Sequence, residues 1–98
     1  MVTYEVTAVV RPDLAGAYET YMRRHVVDVL ATGRFFAASF ARSTENRYRT
    51  RYHARDQESL DRYLAEDTAR LRADFAKHFP SGVELSREIW QAIEVWPA

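Results

Sequence analysis

Residues 2–10 alternate between two sets of side chains, as expected for a β-strand with one face on a core. The set predicted to face the core is Val2, Tyr4, Val6, Ala8 and Val10. Successive side chains of a strand point to opposite faces, so this run predicts strand one with these five residues buried together. Arg11-Pro12 ends the strand, because proline has no N–H to donate to a neighbouring strand.

Two longer stretches repeat large apolar residues every three or four positions, which is typical of an amphipathic helix. The first spans 14–31, ends before Gly33, and has the stripe Leu14, Tyr18, Tyr21, Met22, Val26, Val29 and Leu30. The second is capped by Asp56, fades near Lys77, and has the stripe Leu60, Tyr63, Leu64, Leu71 and Phe75. We therefore predict two helices, each with one face on the core.

Three further stretches have the pattern of strands. Residues 35–42 and 48–54 are joined by the polar turn 43–47, which predicts a hairpin. Residues 83–96 carry apolar side chains at even offsets, which predicts an unusually long fourth strand.

The predicted order is strand, helix, strand, strand, helix, strand, within a single domain over residues 1–98. Right-handed crossovers place both helices on one face of a four-stranded antiparallel sheet, so the fold class is α+β and ferredoxin-like. The other side is here named the open sheet face. Its predicted side chains are Thr3, Glu5, Thr7, Phe35, Arg47, Arg49, Arg51, His53, Glu84, Glu88, Trp90, Glu94 and Trp96. Monomers usually hide such a patch, so we predict a homodimer that packs through this face.

The amino-acid composition excludes several classes of functional site. The chain has no cysteine, which excludes disulfides, thiolate metal sites and a cysteine nucleophile. Fourteen basic and fourteen acidic residues cancel, although the first 55 residues carry an excess of basic charge and the rest an excess of acidic charge. With only three glycines there is no glycine-rich nucleotide motif, so we expect no cofactor. Without a signal-like or membrane-spanning segment, we expect a cytoplasmic protein with no membrane partner.

His25 is the first candidate for chemistry. It lies four residues from both Tyr21 and Val29, and so on the helix stripe that faces the sheet. Tyr4 and Tyr52 are predicted to point into the same layer, where the three side chains would line a pocket for a small molecule. The alternative is a core histidine bonded to a backbone carbonyl or to a tyrosine. The spacing from His25 to Asp28 would suit a metal, but no third ligand is apparent, so we expect no metal.

The arginine cluster of strand three is the second candidate. Arginines alternate there with Tyr48 and Tyr52, as in modules that bind single-stranded RNA. However, alternation sends the tyrosines to one face and the arginines to the other, whereas base stacking needs aromatics on the open face, so we expect no nucleic acid. Arg49 and Arg51 either pair with Glu5, pair with acids of a second subunit, or hold an anionic small molecule. Arg51 and His53 are therefore also candidate ligand-binding residues.

The element order and three stretches resemble the bacterial family called domain of unknown function 4286. The stretches are Val2 to Thr7, His25 to Gly33, and the run from Tyr63 through Leu71-Arg72 to Phe79. The chain departs from the family at Val27, where proline is common, and at Ser86-Arg87, where two arginines are usual. The resemblance implies a dimeric α+β barrel, in a superfamily that includes cofactor-independent monooxygenases and isomerases, and it implies no particular reaction.

These observations predict a homodimeric barrel that binds or transforms a small aromatic or anionic metabolite. The alternative is a non-catalytic binding or assembly module, and whether the protein is an enzyme stays open. The candidate ligand-binding residues are His25, Tyr4, Tyr52, Arg51 and His53.

Overall fold

The computed structural model describes residues 1–98 as four strands and two helical regions. The strands are β1 (Val2–Val10), β2 (Ala37–Arg42), β3 (Arg47–Ala54) and β4 (Val83–Gln91). A short 3₁₀ turn, Pro12–Leu14, leads into α1 (Ala15–Leu30), and the second helical region comprises α2 (Gln57–Arg62), a π-helical segment (Tyr63–Asp67) and α3 (Thr68–His78). No helix combines the length and apolar character that crossing a membrane requires.

The four strands form one antiparallel sheet in the order β2-β3-β1-β4. In its centre Tyr4 of β1 lies opposite Tyr52 of β3 on one side and Ile89 of β4 on the other. The helices cover one face, and the predicted ferredoxin-like α+β fold is confirmed.

The core lies between the sheet and the helices. The alternation of β3 is visible in its burial, since Tyr48, Thr50, Tyr52 and Ala54 are all buried and the arginines point the other way. One apolar cluster contains Val2, Tyr4, Val29, Phe35, Tyr52, Ala54, Leu60, Tyr63 and Leu71, and a second contains Ala8, Val10, Tyr18, Met22, Tyr48 and Phe79. Tyrosines thus supply much of the buried volume.

The second helical region begins as predicted, because Asp56 caps it by accepting a hydrogen bond from the Ser59 amide at 2.8 Å. The π-helical segment was not predicted. Thr68 Oγ1 donates to the Tyr63 carbonyl at 3.1 Å, and Arg34 forms ion pairs with both Glu66 and Asp67. The π-helical segment is therefore held by a contact within its own helical region and by Arg34 from the loop that follows α1.

The predicted length of strand four is wrong, because β4 ends at Gln91 rather than at Trp96. Gln91 pairs with Val2, the first residue of β1, and the Ala92 amide still reaches the Met1 carbonyl at 3.0 Å. Beyond that point β1 offers no further backbone to pair with, so residues 92–98 leave the sheet and are exposed.

The predicted exposure of Phe35 is also wrong. The strand begins at Ala37, two residues later than predicted, so strict alternation does not extend back to Phe35. Phe35 is buried against Tyr52 and Tyr63, and its neighbour Phe36 is half exposed beside His53.

Candidate functional site: a cavity between the sheet and the helices

A cavity of about 250 Å³ lies between the helix-covered face of the sheet and the helices. The sheet contributes Tyr4, Val6, Tyr52, Leu85 and Arg87, α1 contributes Tyr18, Met22 and His25, and the second helical region contributes Tyr63, Thr68, Leu71, Arg72, Phe75 and Ala76. No aspartate or glutamate is among the lining residues.

Four buried tyrosines border this cavity, and the hydroxyls of at least two of them, Tyr18 and Tyr52, form no hydrogen bond within the protein. Tyr4 accepts a hydrogen bond from Arg72 Nη2 at 3.3 Å. Tyr18 and Tyr52 are only 1% and 2% exposed, yet neither hydroxyl bonds to the protein. Thr50 Oγ1 is the one side-chain polar atom that is both inaccessible to solvent and without a hydrogen-bond partner. The hydroxyls of Tyr18 and Tyr52 are therefore still accessible. The space they touch is the cavity that both residues line.

Tyr18, Tyr52 and Tyr63 remain protonated. Burial raises the pKa of Tyr18 and of Tyr52 far above the ordinary value, and it raises that of Tyr63 to about 12. A neutral phenol offers a proton as a hydrogen-bond donor. At neutral pH these three hydroxyls therefore each carry a proton to donate, and none of them acts as a base.

His25 borders the same cavity from α1 and is half buried. Its Nδ1 lies 3.5 Å from the hydroxyl of Tyr21, and that hydroxyl donates to Asp74 Oδ2 at 2.7 Å. Because Tyr21 has one hydroxyl proton and gives it to Asp74, it can only accept from His25. This geometry assigns the proton to Nδ1 and leaves a lone pair on Nε2.

Burial lowers the pKa of His25, and the nearby carboxylates of Asp28 and Asp74 only partly oppose this effect. The imidazole is therefore neutral at neutral pH and able to accept a proton. His25 and Leu71 also border an outer groove between α1 and α3, where Tyr21, Asp74 and His78 lie. His25 thus sits at the boundary between the cavity and the outer surface.

The structure divides the five predicted site residues between two faces. Tyr4, His25 and Tyr52 meet at the cavity. Arg51 and His53 lie on the open sheet face, where Arg51 Nε is 2.6 Å from Glu5 Oε1 and His53 Nδ1 is 3.0 Å from Thr3 Oγ1. The sheet separates these two from the cavity, because their strand positions have the opposite parity.

Five polar cavity residues were not predicted, namely Tyr18, Tyr63, Thr68, Arg72 and Arg87. Tyr18 and Tyr63 were assigned to the apolar stripes of their helices. Arg87 carried a signal, because it replaces an apolar residue between Leu85 and Ile89 on the inward side of β4. Arg72 follows Leu71 and lies outside the predicted apolar stripe of the second helix. Its spacing therefore gave no indication that it lines the cavity.

The element order and the sheet topology define a ferredoxin-like α+β domain. The chain belongs to the family described as domain of unknown function DUF4286, whose profile matches residues 1–93. The resemblance drawn from the sequence is thereby confirmed. No protein of curated function matches the chain.

Solved structures with this fold cover nearly the whole chain. A variant of SnoaB, a cofactor-independent oxygenase from Streptomyces nogalater, superposes with a TM-score of 0.79 at 16% identity, covering 99% of this chain and 97% of that one. A proposed antibiotic biosynthesis monooxygenase from Nitrosomonas europaea gives 0.77 at 10% identity, with 96% and 100% covered. A dimeric ferredoxin-like protein from an uncultured marine organism gives 0.73 at 13% identity, with 97% and 96% covered. At these identities the likeness concerns the fold.

Proposed function

We propose that this protein binds a small metabolite with an aromatic ring or an anionic group in the cavity between its sheet and helices. The observation that carries the proposal is the pair of buried hydroxyls, Tyr18 and Tyr52, which border the cavity without a partner. Both hydroxyls are open to the cavity, so a ligand bound there would accept the proton of each.

Two tyrosines outside this cavity do have partners for their hydroxyls. The hydroxyl of Tyr48 donates to Glu19 Oε2 at 2.7 Å, and that of Tyr21 donates to Asp74. Phenylalanine would fill a core position without leaving a hydroxyl unpaired. The two unpaired hydroxyls therefore favour a binding role over packing alone.

The proposal extends to a cofactor-independent conversion of the ligand, with His25 as the base. Its neutral imidazole and free Nε2 are suited to accept a proton from a bound molecule. The cofactor-independent oxygenase among the structural neighbours supports this extension by analogy of fold.

Mass spectrometry of small molecules released from the purified, denatured protein tests the binding proposal. We expect the wild-type chain to release a ligand, the Y18F/Y52F double variant to release several-fold less, and Y48F to match the wild type. Equal release from all three, or release from none, would contradict the proposal. His25→Leu should also reduce release while changing the free energy of unfolding by less than about 1 kcal/mol, since it breaks only one long side-chain hydrogen bond.

An assembly role is the second candidate, and we propose that the chain forms a homodimer through the open sheet face in either case. Trp90 of the edge strand β4 is 55% exposed there, and β1 lies between it and the basic strand β3. The acidic side chains Glu84 and Glu88 lie on the same edge strand as Trp90. A two-fold axis can bring the acids of one copy toward the arginines of the other.

Light scattering coupled to gel filtration tests the dimer, with Trp90→Glu as the disrupting variant. We expect a wild-type dimer and a monomeric variant with unchanged helical circular dichroism. A dimer that carries no ligand would favour the assembly role, and a wild-type monomer at micromolar concentration would refute the homodimer. The cytoplasmic location stays a prediction.

A further inference from the structure

We infer that the ligand of the cavity is an aromatic oxyanion of one or two rings, such as a phenolate or an aromatic carboxylate, held at the cavity mouth by Arg72 and Arg87. This inference rests on the proposed function, because it specifies the chemistry of the same cavity.

The cavity presents several hydrogen-bond donors to a ligand, beside the acceptor Nε2 of His25. The hydroxyls of Tyr18 and Tyr52 are unpaired, and the raised pKa of each keeps its proton in place. Thr68 already uses its hydroxyl proton on the Tyr63 carbonyl. A ligand that satisfies two phenol donors must present acceptor atoms, and oxygen anions are the strongest acceptors available to a metabolite.

The charge of the cavity has one sign. Its titratable lining residues are Tyr4, Tyr18, His25, Tyr52, Tyr63, Arg72 and Arg87, with no aspartate or glutamate. His25 is neutral, so the two guanidinium groups supply the only formal charge. A cationic ligand would meet unopposed positive charge in this cavity, whereas an anion would neutralise it.

Arg72 and Arg87 are free to bind such an anion. Eight other arginines of the chain form an ion pair with a carboxylate, but these two form none. Arg72 comes from α3 and Arg87 from β4, and both are exposed side chains that border the cavity. They therefore reach it from its helix side and its sheet side, where planar guanidinium forks suit a carboxylate or phenolate.

The volume and the lining limit the body of the ligand. An apolar cavity of about 150 Å³ accommodates benzene, so 250 Å³ suits one ring or two fused rings. Val6, Met22, Leu71, Phe75 and Leu85 provide the apolar walls for such a body.

The test uses 4-nitrophenol, whose anion absorbs visible light, and 4-nitroanisole, a similar molecule that cannot ionise. We expect the protein to bind both and to lower the pKa of bound 4-nitrophenol by one unit or more, which corresponds to a tenfold or larger preference for the anion. The double variant R72M/R87M should abolish this shift and leave 4-nitroanisole affinity within twofold. R72K/R87K should keep part of the shift, and R62M, which removes an exposed arginine outside the cavity, should keep all of it.

Each outcome separates the inference from the proposal on which it rests. Binding of both probes with an unchanged or raised pKa of 4-nitrophenol overturns the oxyanion inference and leaves a small-molecule cavity. The same lowered pKa in R72M/R87M overturns the role of the two arginines. Binding of neither probe at millimolar concentration overturns the inference together with the proposed function.

Discussion

The hydroxyl of Tyr21 donates its single proton to Asp74 Oδ2 at 2.7 Å, and thereby joins α1 to α3 across the outer groove. This bond lowers the pKa of Asp74, since the tyrosine proton stabilises the carboxylate. It also leaves the Tyr21 oxygen as an acceptor for His25 Nδ1, 3.5 Å away. Tyr21 and Asp74 therefore act as positioning residues for the imidazole that borders the cavity.

The first prediction concerns the tautomer of His25. Nitrogen chemical shifts measured by NMR should show the neutral ring protonated at Nδ1 in the wild type, and a larger share protonated at Nε2 in Y21F. D28N is the matched control, because Asp28 raises the pKa of His25 through its charge alone. This variant should lower that pKa and leave the tautomer unchanged. A wild-type ring protonated mainly at Nε2 would contradict the assignment.

The second prediction concerns stability against pH. Burial lowers the pKa of folded His25 below the unfolded value of about 6.5, so the unfolded chain takes up this proton first as the pH falls. The stability that neutral His25 contributes to the fold is fully present above about pH 6.5. It is lost as the pH falls through the lowered pKa, by at most about 1.4 kcal/mol per pH unit.

Urea unfolding of the wild type and of His25→Gln, at about pH 7.5 and at about pH 5.5, checks this prediction. Asp56 and Asp74 also have a lowered pKa, but the stability they contribute is lost only near and below the ordinary carboxyl value of about 4. We expect the free energy of unfolding to decrease over this interval in the wild type and to decrease less in the variant. Equal decreases would remove His25 as the cause.

Sequence periodicity predicted the fold and part of the candidate site, because the period of a pattern determines which side chains share one face of a strand or helix. Period-two alternation assigned Tyr4 and Tyr52 to the helix-covered face, and helical spacing placed His25 opposite them. The same rules cannot predict where a strand loses its partner, so the end of β4 at Gln91 was missed. They also treat Tyr18 as core, since burial is periodic whereas the absence of a partner for its hydroxyl depends on the three-dimensional packing around it.

The third prediction concerns Arg34, whose guanidinium binds Glu66 and Asp67 of the π-helical segment. Arg34→Met should lower the free energy of unfolding by about 1 kcal/mol, because the pair is partly buried and joins two carboxylates. It should also speed amide hydrogen exchange in residues 63–67 and weaken probe binding, since Tyr63 of this segment borders the cavity. R62M, whose ion pair with Glu58 is exposed, should change stability by less than about 0.5 kcal/mol. Unchanged exchange in Arg34→Met would show that the segment does not need this contact.

The fourth prediction concerns the C-terminal residues 92–98, which leave the sheet where β1 ends. Val95 is 69% exposed and Trp96 is 76% exposed, so within one subunit they cover nothing. They come a few residues after the end of β4, the strand that carries the exposed Trp90 on the open sheet face. We predict that the residues near 94–96 reach the second subunit and bury their side chains there.

Deleting residues 95–98 should therefore weaken dimerisation at least tenfold, measured by sedimentation across a dilution series. A buried tryptophan alone removes roughly 150–250 Å² from water, and at about 25 cal/mol per Å² even half of that area exceeds the roughly 1.4 kcal/mol behind a tenfold change. Helical circular dichroism should not change, because no residue of the deleted segment belongs to the core clusters. Deleting only residues 97–98 provides the matched control and should leave the dimer intact. If the longer deletion left dimer affinity equal to that of this control, the segment would have no role between subunits.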